Sequence, residues 1–208
     1  MVFGLFKKRA SPEQTGKPRV TVVVPRIKHR NFVSYLKSLP AITEQSMPIV
    51  EPLFGDLVLT FAADTGDKFI MLSEERCAEY KIARQDLLFL ATTNGLQGVS
   101  TLVKRPIGSL IELTADENMA ACSCLYPKLW EQVENEIGGE PVVAFPHRDL
   151  VLFTGRECQS ATDELRAAVR ALDFAETHGP VRFSVCEALY VVLQAFAGQP
   201  FAWVNRSP

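Results

Sequence analysis

The stretch that decides the fold is VVAFPHRDLVLFTG, Val142 to Gly155. Two apolar runs flank a polar knot, Pro146-His147-Arg148-Asp149. Short runs of Val, Leu and Phe favour strands, because branched and aromatic side chains pack well on a pleated surface. The residues between them suit a turn that faces water. Pro141–Phe145 and Leu150–Thr154 are therefore expected to form an antiparallel hairpin with that knot at its tip. Nearly continuous apolar character implies that both faces of each arm are covered, so the hairpin should lie centrally in its sheet.

Working outward, the N-terminal side opens with a β-branched strand, Val20 to Val24, stopped by Pro25. Asn31 then caps a short helix carrying Phe32, Leu36 and Leu39, and Pro40 ends it. Strands at about 57–62 and 68–72 are joined by a turn from Ala63 to Asp67. Ser73, followed by Glu74 and Glu75, starts a helix, since acidic groups favour the positive end of the dipole. A further helix carries Leu87, Leu88, Leu90 and Ala91 and is stopped by Asn94-Gly95. Residues 109–115 read as a strand, and 118–125 fit no pattern. Pro127 opens a helix with Leu129, Val133 and Ile137 on one face, closed by Gly138-Gly139. After the hairpin, Ser160 and Asp163 resemble a capping box, and Leu165, Val169, Leu172 and Ala175 form the inner face of the longest helix, ended by Gly179-Pro180. Strands near 183–192 and 200–204, joined through Gly198, close the chain. Hairpins outnumber any βαβ rhythm, so the expected class is α+β, a mostly antiparallel sheet with helices packed on it. Residues 1–17 are expected to be a disordered tail, and 18–205 a single domain.

The chain has 208 residues, 47% hydrophobic and 22% charged, with a formal net charge of -2. That is enough for a real core and gives no overall electrostatic pull toward nucleic acid. The opening MVFGLFKKRA puts its apolar residues before its basic ones, the reverse of a secretory signal. No run approaches the roughly 20 apolar residues of a membrane span. The odd number of cysteines, five, without a C-x-x-C pair, suits reduced thiols in a cytoplasmic protein better than a disulfide framework.

Known chemical motifs are missing. The three histidines do not share the helical spacing of a zinc protease, and no P-loop, dinucleotide fingerprint or nucleophile elbow occurs, so no metal and no cofactor is expected. The basic stretch PRIKHR lacks aromatic interleaving beyond Phe32 and Tyr35, which leaves sequence-specific nucleic-acid binding unsupported. One constellation remains. Charged residues end three strands: Arg26 to Arg30, Asp56 after Gly55, and His147-Arg148-Asp149. Gathered at one sheet edge, Arg26, His29, Asp56, His147, Arg148 and Asp149 could bind a small anion or serve a hydrolase-type reaction. Equally, a hairpin tip is polar because it faces water, and Arg26 with Asp56 could be a structural ion pair.

Three stretches, VPRIKHRNFVSYL, IVEPLFGDLVLTFAAD and VVAFPHRDLVLFTG, in this order and spacing, resemble the YtpQ-like family, a bacterial domain of unknown function. The likeness runs from about Arg19 to Val204 and rests on Pro25, Arg26, Gly55, Asp56, Pro146 and Asp149. It implies a bacterial, cytoplasmic α+β protein and carries no reaction, cofactor or catalytic residue with it. The favoured expectation is a non-enzymatic interaction module that holds a protein partner or a second copy, by strand addition or in a groove between helices. The alternative is the small-anion binder or hydrolase.

Overall fold

A computed structural model describes residues 22–53, 57–66, 68–115, 119–175, 190–192 and 203–205. The expected tail, the end of the longest helix at Gly179-Pro180, the Gly198 connection and Asp56 all lie outside these residues. The architecture is α+β with antiparallel sheets. There are two sheets, where one was expected.

The first sheet is built on β3 (Leu57–Asp64), which pairs along its whole length with β1 (Val22–His29). The opposite side of β3 is shared by β2 (Val50–Pro52) and β4 (Phe69–Met71). Strand β1 does not stop at Pro25 but continues four residues past it, to His29, and is followed by an eight-residue helix, α1 (Asn31–Ser38). Proline is tolerated here because β1 is an edge strand and the missing N–H points away from β3. The free edge is covered instead. The Asn94 amide donates to the Val23 carbonyl at 2.9 Å, and the Cys122 thiol donates to the Pro25 carbonyl at 3.5 Å. Asn31 does not cap α1; Arg30 holds that position, and the Asn31 N–H donates to the His29 ring at 3.1 Å.

Ser73 caps α2 (Glu74–Tyr80), its hydroxyl accepting from the Arg76 N–H at 3.2 Å. The next helix, α3 (Leu87–Val99), runs straight through Asn94-Gly95. Glycine serves packing there rather than termination. A Cβ at Gly95 would lie 2.6 Å from the Tyr126 hydroxyl and 2.8 Å from Pro25 Cδ, so its absence lets α3 approach β1.

The second sheet contains β5 (Val103–Ile107), β6 (Leu110–Thr114), β7 (Pro141–His147), β8 (Leu150–Gly155), β9 (Tyr190–Val192) and β10 (Trp203–Asn205), in the order β10-β9-β7-β8-β6-β5. The β7–β8 hairpin is central, as its apolar runs predicted. Its tip is tighter than the four-residue knot. Pro146 and His147 belong to β7, a register shift between Ala144 and His147 absorbs the extra residue, and the turn is Arg148-Asp149. Alternation explains the continuous apolar runs. Val143, Phe145, Val151 and Phe153 enter the main core, which also takes Val23, Ile27, Leu59 and Phe61 from the first sheet. Val142, Ala144 and Leu152 face the opposite way, onto Leu165 and Val169 of α5 (Gln159–Ala175).

Strand β5 was not foreseen, because all five of its residues are exposed and one is proline. It is the described edge of the second sheet and joins β6 through the two-residue turn Gly108-Ser109. Such a turn makes Ile107 and Leu110 a hydrogen-bonded pair, so Lys104 and Pro106 direct their backbone groups outward. The unassigned stretch before α4 (Pro127–Ile137) is a buried 3-10 turn, Ala120–Leu125, wedged between the sheets. Gly138 closes α4 in the left-handed region, at φ 69°.

Candidate functional site

Extending β1 past Pro25 puts Val24, Arg26 and Lys28 on one face and Val23, Ile27 and His29 on the other, since successive side chains alternate. The second set includes the core residues Val23 and Ile27. The 3-10 turn lies along the open edge of β1, where the Cys122 thiol meets the Pro25 carbonyl. Its Ala121 N–H donates to the Arg148 carbonyl at 3.0 Å, which ties the β7–β8 tip to this same turn. The middle of β1 and the hairpin tip, from different sheets, are thus bridged by one short segment.

The predicted site residues divide accordingly. Arg26 is buried; Nη1 donates to Met119 Sδ at 2.8 Å and the guanidinium stacks on Phe69, 3.8 Å from the ring centre. His29 lies on the opposite face of β1 and receives the Asn31 N–H. Asp56 is outside the described residues. The three tip residues do gather. His147 Nδ1 lies 3.2 Å from Asp149 Oδ2 and 3.3 Å from the Asp149 N–H, and Arg148 Nε lies 3.6 Å from the same carboxylate oxygen. One ring nitrogen cannot serve both contacts at once: bare, it accepts the N–H, and protonated, it pairs with the carboxylate. The second oxygen, Asp149 Oδ1, is buried and has no hydrogen-bond partner among the described residues.

Lys28, within the charged run Arg26 to Arg30 but not among the predicted site residues, is half-buried. Its amine is held below the ordinary lysine range, first by burial, then by Arg148 and Arg26; Cys122 and Asp149 oppose the shift. Cys122, the thiol beside these cations, is pushed up to about 11 by burial, and Arg26 and Lys28 offset only part of that. Cys124 is likewise raised by burial, well above the ordinary thiol range. Both are therefore protonated near neutral pH and are poor nucleophiles. Among the described residues no three His, Cys, Asp or Glu side chains gather as a metal site requires.

A second feature lies on the far side of α3. This 13-residue helix contains no charged side chain. Its Leu88, Phe89 and Leu96 are 54%, 70% and 55% exposed. Beside Leu96 opens a cavity of about 650 Å³, walled by Val99 on α3 and by Tyr126, Pro127 and Leu129 at the start of α4, with Lys128 and Glu131 also on its lining. The signal for this face was the uncharged run itself, which the premature stop at Asn94-Gly95 cut in two.

No protein-family model, curated protein or solved structure matches this chain. No helix among the described residues is long and apolar enough to cross a membrane.

Proposed function

We propose that this chain is a non-enzymatic protein-interaction module that works through the uncharged face of α3. The observation that carries the reading is the run of exposed apolar side chains, Leu88, Phe89 and Leu96, next to an apolar cavity. Depletion of charge is what marks the core of a protein interface, and contiguous exposed apolar surface marks a contact site.

The occupant we assign is a second copy. Phe89 is the knob and the cavity beside Leu96 is the hole, and seven helical residues, about 10 Å, separate them along one face. A two-fold axis between them would let each Phe89 enter the other copy's cavity, the self-complementarity an isologous dimer needs. Covering each of these half-exposed side chains is worth about 1–1.5 kcal/mol. Three from each copy give a gross gain comparable to the cost of association, about 4–15 kcal/mol, so the pair is weak and concentration-dependent. Strand addition at β5 has less support, because Pro106 offers no N–H and Lys104 places a charge there. On the three stretches quoted above, the proposal keeps the resemblance to the YtpQ-like family and a bacterial cytoplasmic setting. Free thiols at Cys77, Cys122, Cys124 and Cys158 accord with a reducing compartment.

Sedimentation of the full chain up to about 100 µM, where a weak interface still populates a dimer, tests the reading. A dimer that is lost in Phe89→Glu is expected. A wild-type chain that stays monomeric, or a dimer indifferent to Phe89→Glu, sinks it.

A further inference from the structure

We infer that a separate cavity, between the open edge of β1 and α3, is a binding site for a small primary ammonium ion with a compact apolar body. This goes beyond the α3 interface and does not depend on it.

The cavity has a volume of about 280 Å³. Small-molecule sites usually span about 300–1,000 Å³, so its occupant is small. Strand register builds one wall. Val22 pairs with Asp64 and Asp64 with Phe69, so these three side chains form one row across the face of the first sheet that is turned away from the core, with Val24 beside it. The helix builds the other wall. Asn94 and Gly98 lie one turn apart on α3, and Thr101 follows in the turn after it. Gly98 is packed closely on Met119, since a Cβ there would lie 3.0 Å from Met119 Cγ; buried Met119 closes the inner end.

The wall chemistry selects a donor. Asn94 Nδ2 donates to the Val23 carbonyl at 2.9 Å. A carbonyl can only accept, so this bond fixes the orientation of the amide and turns its oxygen into the group offered to a ligand. The Thr101 hydroxyl spends its proton on the Gly98 carbonyl at 2.7 Å, so toward a ligand it can only accept. Among the described residues on the lining, Asp64 is the only one with a charged side chain. It is half-buried, and the Gly66 N–H donates to its Oδ1 at 2.7 Å, which orients the carboxylate. Gln97, exposed at the rim, can donate or accept and so does not discriminate. Oxygen acceptors and a carboxylate beside apolar side chains match a ligand that brings N–H donors and positive charge on an apolar body. Buried Arg26 touches the wall residues Phe69 and Met119 without lining the cavity itself. Its charge opposes a cationic ligand from behind that wall, and direct contact with Asp64 outweighs it because Coulomb energy falls with separation.

Phenethylammonium is the probe, and phenylethanol, with a hydroxyl in place of the ammonium, is the uncharged control. With carbon-13 methyl-labelled methionine, the Met119 resonance is assigned by its absence from Met119→Leu. That resonance is expected to move saturably with phenethylammonium, with a dissociation constant on the order of 1 mM. Phenylethanol is expected to bind about tenfold more weakly, the size of one hydrogen bond to a charged group. Asp64→Asn keeps an oxygen for the Gly66 N–H, so the turn should survive; it should lose about tenfold for the ammonium and leave the alcohol unchanged. Val22→Trp, at an exposed position on the wall, should fill the space and abolish binding of both. Absence of a saturable Met119 shift in the wild-type chain, or undiminished binding by a folded Val22→Trp, overturns the site. Equal affinity for the two probes, or a folded Asp64→Asn that holds the ammonium as tightly as the wild type, overturns the assignment of an ammonium ligand.

Discussion

Gly95→Ala opposes two physical effects whose signs differ. In an exposed helix the substitution would stabilise by about 1 kcal/mol, because alanine loses less backbone entropy. Here the new Cβ would lie 2.6 Å from the Tyr126 hydroxyl, 2.8 Å from Pro25 Cδ and 2.9 Å from Pro25 Cγ. None of these atoms retreats easily. The Tyr126 hydroxyl donates to the Thr92 carbonyl at 2.9 Å, and the Pro25 ring is part of a strand paired along its length with β3. Overpacking of this kind costs about 1–3 kcal/mol, and three contacts on a rigid wall belong at the upper end. The net expectation is a loss of about 1–2 kcal/mol, or about 2–8 °C in Tm for a chain of this size. Urea unfolding followed by tryptophan fluorescence reads it, since Trp130 is buried and donates to the Ser123 carbonyl at 3.0 Å. Adding Tyr126→Phe removes the shortest contact and leaves both proline contacts, so rescue should be partial at most. A Gly95→Ala chain as stable as the wild type, or more so, would refute the close approach of α3 to β1.

Alkaline stability should depend on Cys122. Burial lifts its folded thiol from about 9 to about 11, so the unfolded chain loses that proton first and stability falls between those values, by about 3 kcal/mol in total. Tyr126, also raised by burial, acts in the same direction, whereas the depressed Lys28 amine acts in the opposite one. Urea titrations across this range should therefore show a shallower decline in Cys122→Ala than in the wild type. Among Cys77, Cys122, Cys124 and Cys158, alkylation followed by mass spectrometry should find Cys158 labelled first. It is exposed, and its thiol is lowered by hydrogen bonds from the Ser160 hydroxyl and the Ala161 N–H, while the other three are buried and raised. Ser73→Ala should cost about 1 kcal/mol by removing the acceptor for the Arg76 N–H, seen as a lower Tm.

Local chemistry made part of the fold legible. The β7–β8 hairpin and α4 could be read because their own residues decide them: apolar runs on either side of a polar turn, and a Pro127 start with a Gly138 stop. The misreadings share one cause. Pro25 and the Asn94-Gly95 pair carry local signals to stop, and tertiary packing overrode both. Pro25 is harmless only because β1 lies at an edge, and Gly95 is there so that β1 can lie close. Strand β5 has no buried face from which a period could be read, and the 3-10 turn is too short to show one. The candidate site suffered from the same misreading. Stopping β1 at Pro25 left Arg26 to Arg30 as a loop-like charged run, although alternation along the continuous strand puts Arg26 and Lys28 on one face and His29 on the other. The bridge from the hairpin tip to β1, through Ala121 to the Arg148 carbonyl and Cys122 to the Pro25 carbonyl, depends on contacts between sheets that no local pattern encodes.

The proline in β5 has a consequence for how the molecule behaves in a crowd. Along that border the outward row of backbone donors is reduced to the single N–H of Lys104, set next to a charged side chain. A misaligned neighbour seeking to extend the ladder there would find almost nothing to hold, beside a lysine whose amine is already paired with Glu136 at 2.6 Å. Replacing Pro106 with valine would restore the missing donor, and fibril growth from this border is the behaviour to expect from such a chain.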